Sequence, residues 1–227
     1  MKISYLGHAT VLIETGGKKI IVDPFITGNP LAKDKFVLEQ IEVDYIMITH
    51  AHQDHVLDVE ELAEANPQAR LISNYEIITY FSRDGIDGHP MNHGGSWDFD
   101  FGRVTMVNAW HSSSFADGTY GGNPAGFVIE SEGKAIYIAG DTGLTLDMKL
   151  IPLFAKLDLA VLPIGDNFTM GPESAAVAAD FVACDKVLGY HYDTFDLIKI
   201  DHQKAKETFA KAGKELILLP IGDSMEI

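Results

Sequence analysis

The chain has 227 residues, 46% of them hydrophobic and 22% charged, the mix of a soluble globular protein that can bury a sizeable core. Its formal net charge of −16 opposes a long polyanion, and no local basic cluster compensates, so nucleic acid is disfavoured as a partner. No apolar run approaches the roughly 20 residues of a membrane helix, and the single Cys184 excludes an internal disulfide and leaves any metal site nearly free of sulfur.

The N-terminus, Met1-Lys2-Ile3-Ser4-Tyr5-Leu6, enters a strand at once and lacks the apolar core and cleavage site of a signal peptide, so the chain reads as cytoplasmic. Alternation and β-branched content predict strands over 2–6, 11–15 and 19–22, with Gly16-Gly17 as the hairpin turn between the second and third. A strand over 45–49 precedes a helix over 58–65, whose first turns carry the acidic residues that the helix dipole favours. A strand over 70–73 and a helix over 75–83 follow. Further strands fall at 104–109, 126–130 and 134–139. The C-terminal part then alternates: helix 146–153, strand 159–163, helix 173–183, strand 186–189, helix 202–212, strand 215–219. This order predicts a layered α/β fold with mixed sheets. With no linker or low-complexity segment, residues 1–227 read as one domain, and both halves contain strand–ligand–helix units.

The most informative segment is Thr49-His50-Ala51-His52-Gln53-Asp54-His55. Neutral imidazole and carboxylate are preferred ligands of borderline transition metals. Such a run does not serve packing, because buried polar groups need partners. It falls between an apolar strand and a helix, where α/β sheets bind ligands. His50 and His52 project to one side of extended chain. Asp54 and His55 come after the bend and can face a second point, which favours two metals over one.

Other ligand-type residues also close apolar strands: Asp23 after Ile20-Ile21-Val22, His111 after 104–110, Asp141 after 135–140 and His191 after 187–190. Strand ends on one sheet edge converge. One site can therefore take His50, His52 and His111, and the other Asp54, His55 and His191. Asp141 has two oxygens and a charge with which to bridge them. A hydroxide bridging two metals would complete each shell and act as nucleophile, since metal-bound water can have a pKa near 7.

His50-x-His52-x-Asp54-His55 followed by His111, Asp141 and His191 resembles the metallo-β-lactamase superfamily over essentially the whole chain. Gly7-His8-Ala9-Thr10, Asp23-Pro24, Trp110-His111-Ser112-Ser113, Gly140-Asp141-Thr142 and the stretch Pro163 to Pro172 narrow the resemblance to a branch of uncharacterised bacterial and archaeal metal-dependent hydrolases related to ascorbate-6-phosphate lactonase. The resemblance implies a four-layer αβ/βα sandwich with two mixed β-sheets, a metal site at one edge and the seven ligands named above. One departure is Leu57, where superfamily members often carry Gly, which puts only the local turn shape in question. No insertion resembles a tRNA-processing exosite or a flavodiiron partner domain.

The remaining polar residues divide by context. Asp23 reads as a carboxylate orienting a ligand histidine, with a turn former before Pro24 as the alternative. Asp58 is either a helix N-cap or a similar supporting carboxylate. His8, in a turn between two strands, is a candidate catalytic residue, donating a proton at a pKa near 6.5, or else a structural histidine. His89 and His93 read as loop residues, His202 as an exposed helix-start residue, and Cys184 as a buried thiol. Residues 167–172 are a candidate pocket wall or lid. The expectation is a hydrolase of a small, anionic or neutral ester, lactone or phosphoester, with Asp54 orienting the hydroxide or taking its proton. Zinc is the first candidate metal, then Mn, Fe, Co and Ni. A homo-oligomer is compatible with the sequence. The alternatives are a phosphodiesterase or nuclease, an iron-dependent redox protein on the same scaffold, and a metal-binding protein without catalysis.

Overall fold

The computed structural model describes residues 1–227 and contains two seven-stranded sheets. The first runs in the order β14-β1-β2-β3-β4-β5-β6 and the second β13-β12-β11-β10-β9-β8-β7. In chain order the strands are β1 (Lys2–Gly7), β2 (Thr10–Thr15), β3 (Lys18–Val22), β4 (Tyr45–Met47), β5 (Arg70–Asn74), β6 (Gly88–Met91), β7 (Ser96–Phe99), β8 (Gly102–Asn108), β9 (Ala125–Ser131), β10 (Lys134–Ile138), β11 (Leu159–Pro163), β12 (Lys186–Tyr190), β13 (Glu215–Ile217) and β14 (Ser224–Glu226). Each sheet begins antiparallel and becomes parallel, from β3 in the first and from β10 in the second. That shared order is the physical form of the pseudo-repeat. It breaks at β14, which crosses from the second half to pair with β1.

Period-2 side-chain alternation builds the layers. Along β3, Ile20 and Val22 enter the core between the sheets, while Ile21 enters the core on the outer face. Along β11, Leu159 and Val161 face inward, and Ala160 and Leu162 face outward. The outer face of the first sheet is covered by α2 (Val59–Ala65) and α3 (Tyr75–Ser82), which contribute Val59, Leu62, Ile77 and Phe81. The second is covered by α4 (Pro172–Phe181) and α5 (His202–Lys211), which contribute Ala175, Ala179, Ala205 and Phe209. Three cores between four layers result: this is the αβ/βα sandwich. No helix is long and apolar enough to cross a membrane.

Several local expectations are corrected. Strands β6, β7 and β14 are absent from the sequence reading, and β6 places His89 on a strand instead of in a loop. All three are short edge strands, where Pro90 is tolerated and the apolar alternation fades. Residues 146–153 form a 3-10 helix instead of an α-helix, with Pro152 inside it; proline removes an amide donor and clashes with the preceding turn. A short α1 (Gln53–Val56) precedes α2, so Asp54 and His55 lie within its single turn. Leu57 has ordinary right-handed backbone (φ −52°), so this turn has no need of glycine there.

Candidate metal centre

Six strands carry donor residues just past their carboxyl ends: His8 after β1, Asp23 after β3, His50 and His52 after β4, His111 after β8, Asp141 after β10 and His191 after β12. Within each sheet these strands run in one direction, so the two sheets deliver them to a common edge. The His191 amide donates to the His8 carbonyl at 2.7 Å, tying the sheets together there. His8, Asp23 and His191 all have left-handed backbone (φ 55°, 47° and 56°). Left-handed conformations in non-glycine residues cost about 1–3 kcal/mol each and persist where surrounding structure over-determines them.

Two separate groups of donor atoms result, His50, His52 and His111 in one and His8, Asp54, His55 and His191 in the other, and a third, Asp23, His50 and His55, overlaps both; within each group the donor atoms all lie within 4.8 Å of one another. Asp141 stands between the first two, its Oδ2 3.5 Å from His55 Nε2, 3.0 Å from His191 Nε2 and 3.6 Å from His111 Nε2. The seven ligand candidates from the sequence therefore meet, and His8 meets them.

Supporting contacts fix the rings. Asp23 is fully buried and accepts from His55 Nδ1 (2.8 Å), Thr49 Oγ1 (2.6 Å) and the Thr49 amide (2.8 Å). With Nδ1 donating, His55 presents the Nε2 lone pair to the cluster. The same Thr49 hydroxyl lies 3.0 Å from His50 Nδ1, so Asp23 reaches His50 through it. Asp58 precedes α2 but caps nothing with its side chain. Its carboxylate instead accepts from the amides of Ile26 and Thr27 and from the Thr27 hydroxyl, holding the chain just past Asp23 and Pro24.

The sequence leaves His8 open between a catalytic and a structural role. Its side chain is fully buried, with Nε2 2.9 Å from Asp54 Oδ2 and Nδ1 3.0 Å from Thr194 Oγ1. Burial, helped by His191, pushes its pKa down to about 3, so the ring is neutral. An ionised Asp54 only accepts, which makes Nε2 the donor and Nδ1 the acceptor of the Thr194 hydroxyl. The ring is thus aimed at Asp54.

Electrostatics separate the two groups. Burial holds His50 well below the usual histidine range and lowers His52 and His111. Burial is also the strongest single influence at His55 and His191 and works against charge there, but the facing carboxylates together outweigh it: Asp141, Asp23 and Asp54 hold His55 well above the ordinary value, and Asp141 and Asp54 push His191 up to about 9. Burial would raise Asp54 and Asp141 too; the facing histidines prevail and keep both ionised. Positive charge is thus drawn to the point between these carboxylates.

The residues fit divalent metal. His55 Nε2, Asp141 Oδ1 and both ring nitrogens of His191 are buried without a hydrogen-bond partner. Leaving a buried polar atom unpaired costs about 1–3 kcal/mol, and a cation would relieve that cost at His55 and Asp141. The donor set is nitrogen and oxygen only, as Zn, Mn, Fe, Co and Ni accept.

Thr194, Thr49 and Ser112 are supporting residues that the sequence reading did not single out. Ser112 Oγ lies 3.1 Å from His52 Nε2. Thr49 and Ser112 flank ligand residues, a usable signal; Thr194 has none, since its role depends on the approach of β1 to the turn after β12. His93 lies in a loop against the Pro124 carbonyl, and His202 heads α5 against Asp193; neither belongs to a donor group. Cys184 is buried, with its thiol donating to the Lys186 carbonyl. Residues 167–172 run beside the centre, where the Met170 amide donates to the Thr142 carbonyl.

Residues 2–191 match a family model described as a beta-lactamase superfamily domain. A UPF0173 metal-dependent hydrolase of Flavobacterium johnsoniae is 62% identical over 227 residues, covering 100% of both chains. Another, from Christiangramia forsetii, is 58% identical over the same span and coverage. Among solved structures, Igni18, a metallo hydrolase from the archaeon Ignicoccus hospitalis, superposes with a TM-score of 0.89 at 34% identity, covering 100% of this chain and 98% of that one. A fold of two facing mixed sheets, a donor cluster at their shared edge and relatives matched end to end agree: the chain belongs to the metallo-β-lactamase superfamily, within its UPF0173 family of metal-dependent hydrolases.

Proposed function

We propose that residues 1–227 act as one dinuclear hydrolase domain that cleaves an ester, lactone or phosphoester of a small molecule. The observation that carries this reading is Asp141, whose Oδ2 lies 3.0–3.6 Å from histidines of both donor groups. His50, His52 and His111 would hold one ion, Asp54, His55 and His191 the other, and Asp141 both. Divalent ions held there, zinc first among the candidates, supply Lewis acidity and a water of lowered pKa. Asp54 combines a ligand position with a side chain 30% exposed, and so can accept a proton from the attacking water. His8 acts as a positioning residue: it donates from Nε2 to Asp54 Oδ2 and accepts the Thr194 hydroxyl at Nδ1, which fixes the carboxylate. The net charge of −16 supports a small substrate over a long nucleic acid.

The test is elemental analysis of protein loaded with excess zinc or manganese and then desalted, alongside turnover on an ester, lactone and phosphodiester panel. Two equivalents of metal and metal-dependent turnover are expected. A firm value of one equivalent would sink the dinuclear assignment, and metal without turnover on any member would sink the hydrolase assignment.

A further inference from the structure

Three exposed aromatic side chains stand next to the donor cluster. Trp110 is 70% exposed, directly precedes His111, and lies so close to Gly143 that a Cβ there would meet its Cε3 at 3.3 Å. Phe195 is 39% exposed, with its ring 5.4 Å from His8 and 6.2 Å from Phe25. Phe168 is 52% exposed on the segment that Met170 ties to Thr142, next to Asp141. The cluster opens to solvent on the side of Asp54, His52 and His111, the members that are not buried. Apolar walls around a few convergent polar groups are the ordinary make-up of a small-molecule site.

No lysine or arginine is ion-paired with a carboxylate of the cluster. The groups acting most strongly on its histidines and carboxylates are its own members and Asp23; no lysine or arginine is among them. The lysine and arginine ion pairs all lie with other carboxylates. A site for a phosphorylated or carboxylated substrate normally adds such a cation to grip the remote anion.

We infer that the substrate's non-reacting part is uncharged and apolar, with an aromatic or similarly flat body that packs against Trp110, Phe168 and Phe195. This inference rests on the hydrolase reading above. It narrows that reading to carbonyl-type esters, lactones or related neutral groups, and away from phosphorylated sugars.

The test uses two readouts on metal-loaded protein. The first compares kcat/KM for p-nitrophenyl phenylacetate, p-nitrophenyl acetate and p-nitrophenyl phosphate in the wild type and in Trp110→Ala and Phe195→Ala. The phenylacetate is expected to lead by at least about 10-fold, the scale on which apolar pockets discriminate, and each variant to shrink that ratio. The second needs no turnover. The chain has two tryptophans, so Trp97→Phe leaves Trp110 as the fluorophore for titration with phenylacetohydroxamate and acetohydroxamate. Tighter binding of the phenyl compound, with a change in Trp110 emission, supports the inference even if no ester turns over, an outcome that would count only against the hydrolase reading. Turnover with no phenyl preference, or a preference for the phosphate, overturns the inference and leaves that reading standing. Equal hydroxamate affinities, with Trp110→Ala lowering the mass in light scattering, would show the rim to be a self-association surface and overturn it as well.

Discussion

The two donor groups are built alike and supported differently. His55 and His191 are buried, Asp54 alone of their group is partly exposed, and the group has direct partners in Asp23 and His8, themselves buried. The three-histidine group is open on one side: His50 is buried, but His52 and His111 are partly exposed, and Ser112, which touches His52, is exposed. Supporting partners and a dry environment fix ligand geometry and raise affinity. The buried group is therefore expected to hold its ion more firmly, and the open group to exchange its ion and meet substrate. On the proposed two-metal reading, two sites of similar donor count would thus divide into an anchor and a working face.

The strongest way to break this division is to remove what both groups share. Asp141→Ala should strip metal from both, because each ion loses a ligand and the repulsion between them is less compensated. Turnover should fall by more than about 100-fold, since losing even a supporting partner costs 10–100-fold. Cys184→Ser, in the core under α4, should keep its metal and activity. Equal metal content in the two variants, by elemental analysis, would mean that Asp141 is not shared.

Removing one group's support sharpens the comparison. Asp23→Asn should weaken metal binding about 10–100-fold, more at the buried group, where it touches His55, than at the open group, which it reaches through Thr49. A stepwise metal titration followed by calorimetry resolves the two affinities; equal losses would contradict the division. His8→Ala should retain the three-histidine ion, loosen Asp54 and lower turnover by roughly 10–100-fold, as a positioning role predicts. A fall in thermal stability with normal turnover per folded molecule would make His8 merely structural.

How much of this was legible in the sequence follows from distance along the chain. The heptapeptide 49–55 carries its message locally, and His111, Asp141 and His191 are each announced by an apolar strand that ends just before them. The difference in burial between the two donor groups was not legible, because it depends on how β12 and β1 meet. Thr194 escaped for that reason. His8 was visible as a residue of interest, but its turn says nothing of direction; only the approach of Asp54 on one side and Thr194 on the other gives the ring its role. The fold order was readable where strands are central and apolar. It failed at β6, β7 and β14, whose edge positions relax the hydrophobic alternation, and at 146–153, where helical spacing was offset by Pro152.

The smallest effect belongs to the open group's own support. Ser112 Oγ meets His52 Nε2 at 3.1 Å, while His52 Nδ1 faces His50 Nε2 at 3.0 Å. A ring with one nitrogen toward its neighbour ligand and the other toward a hydroxyl is held in orientation, but by an exposed group that water can replace. Ser112→Ala should therefore cost little metal affinity, less than Asp23→Asn, and should speed release of one ion to a chelator. In a time course with excess EDTA, one equivalent should leave first in the wild type. Its release should quicken in Ser112→Ala, while the second equivalent keeps its rate. A variant in which both equivalents leave faster by the same factor would show that the two groups exchange as one unit, and that the anchor and the working face are not separate.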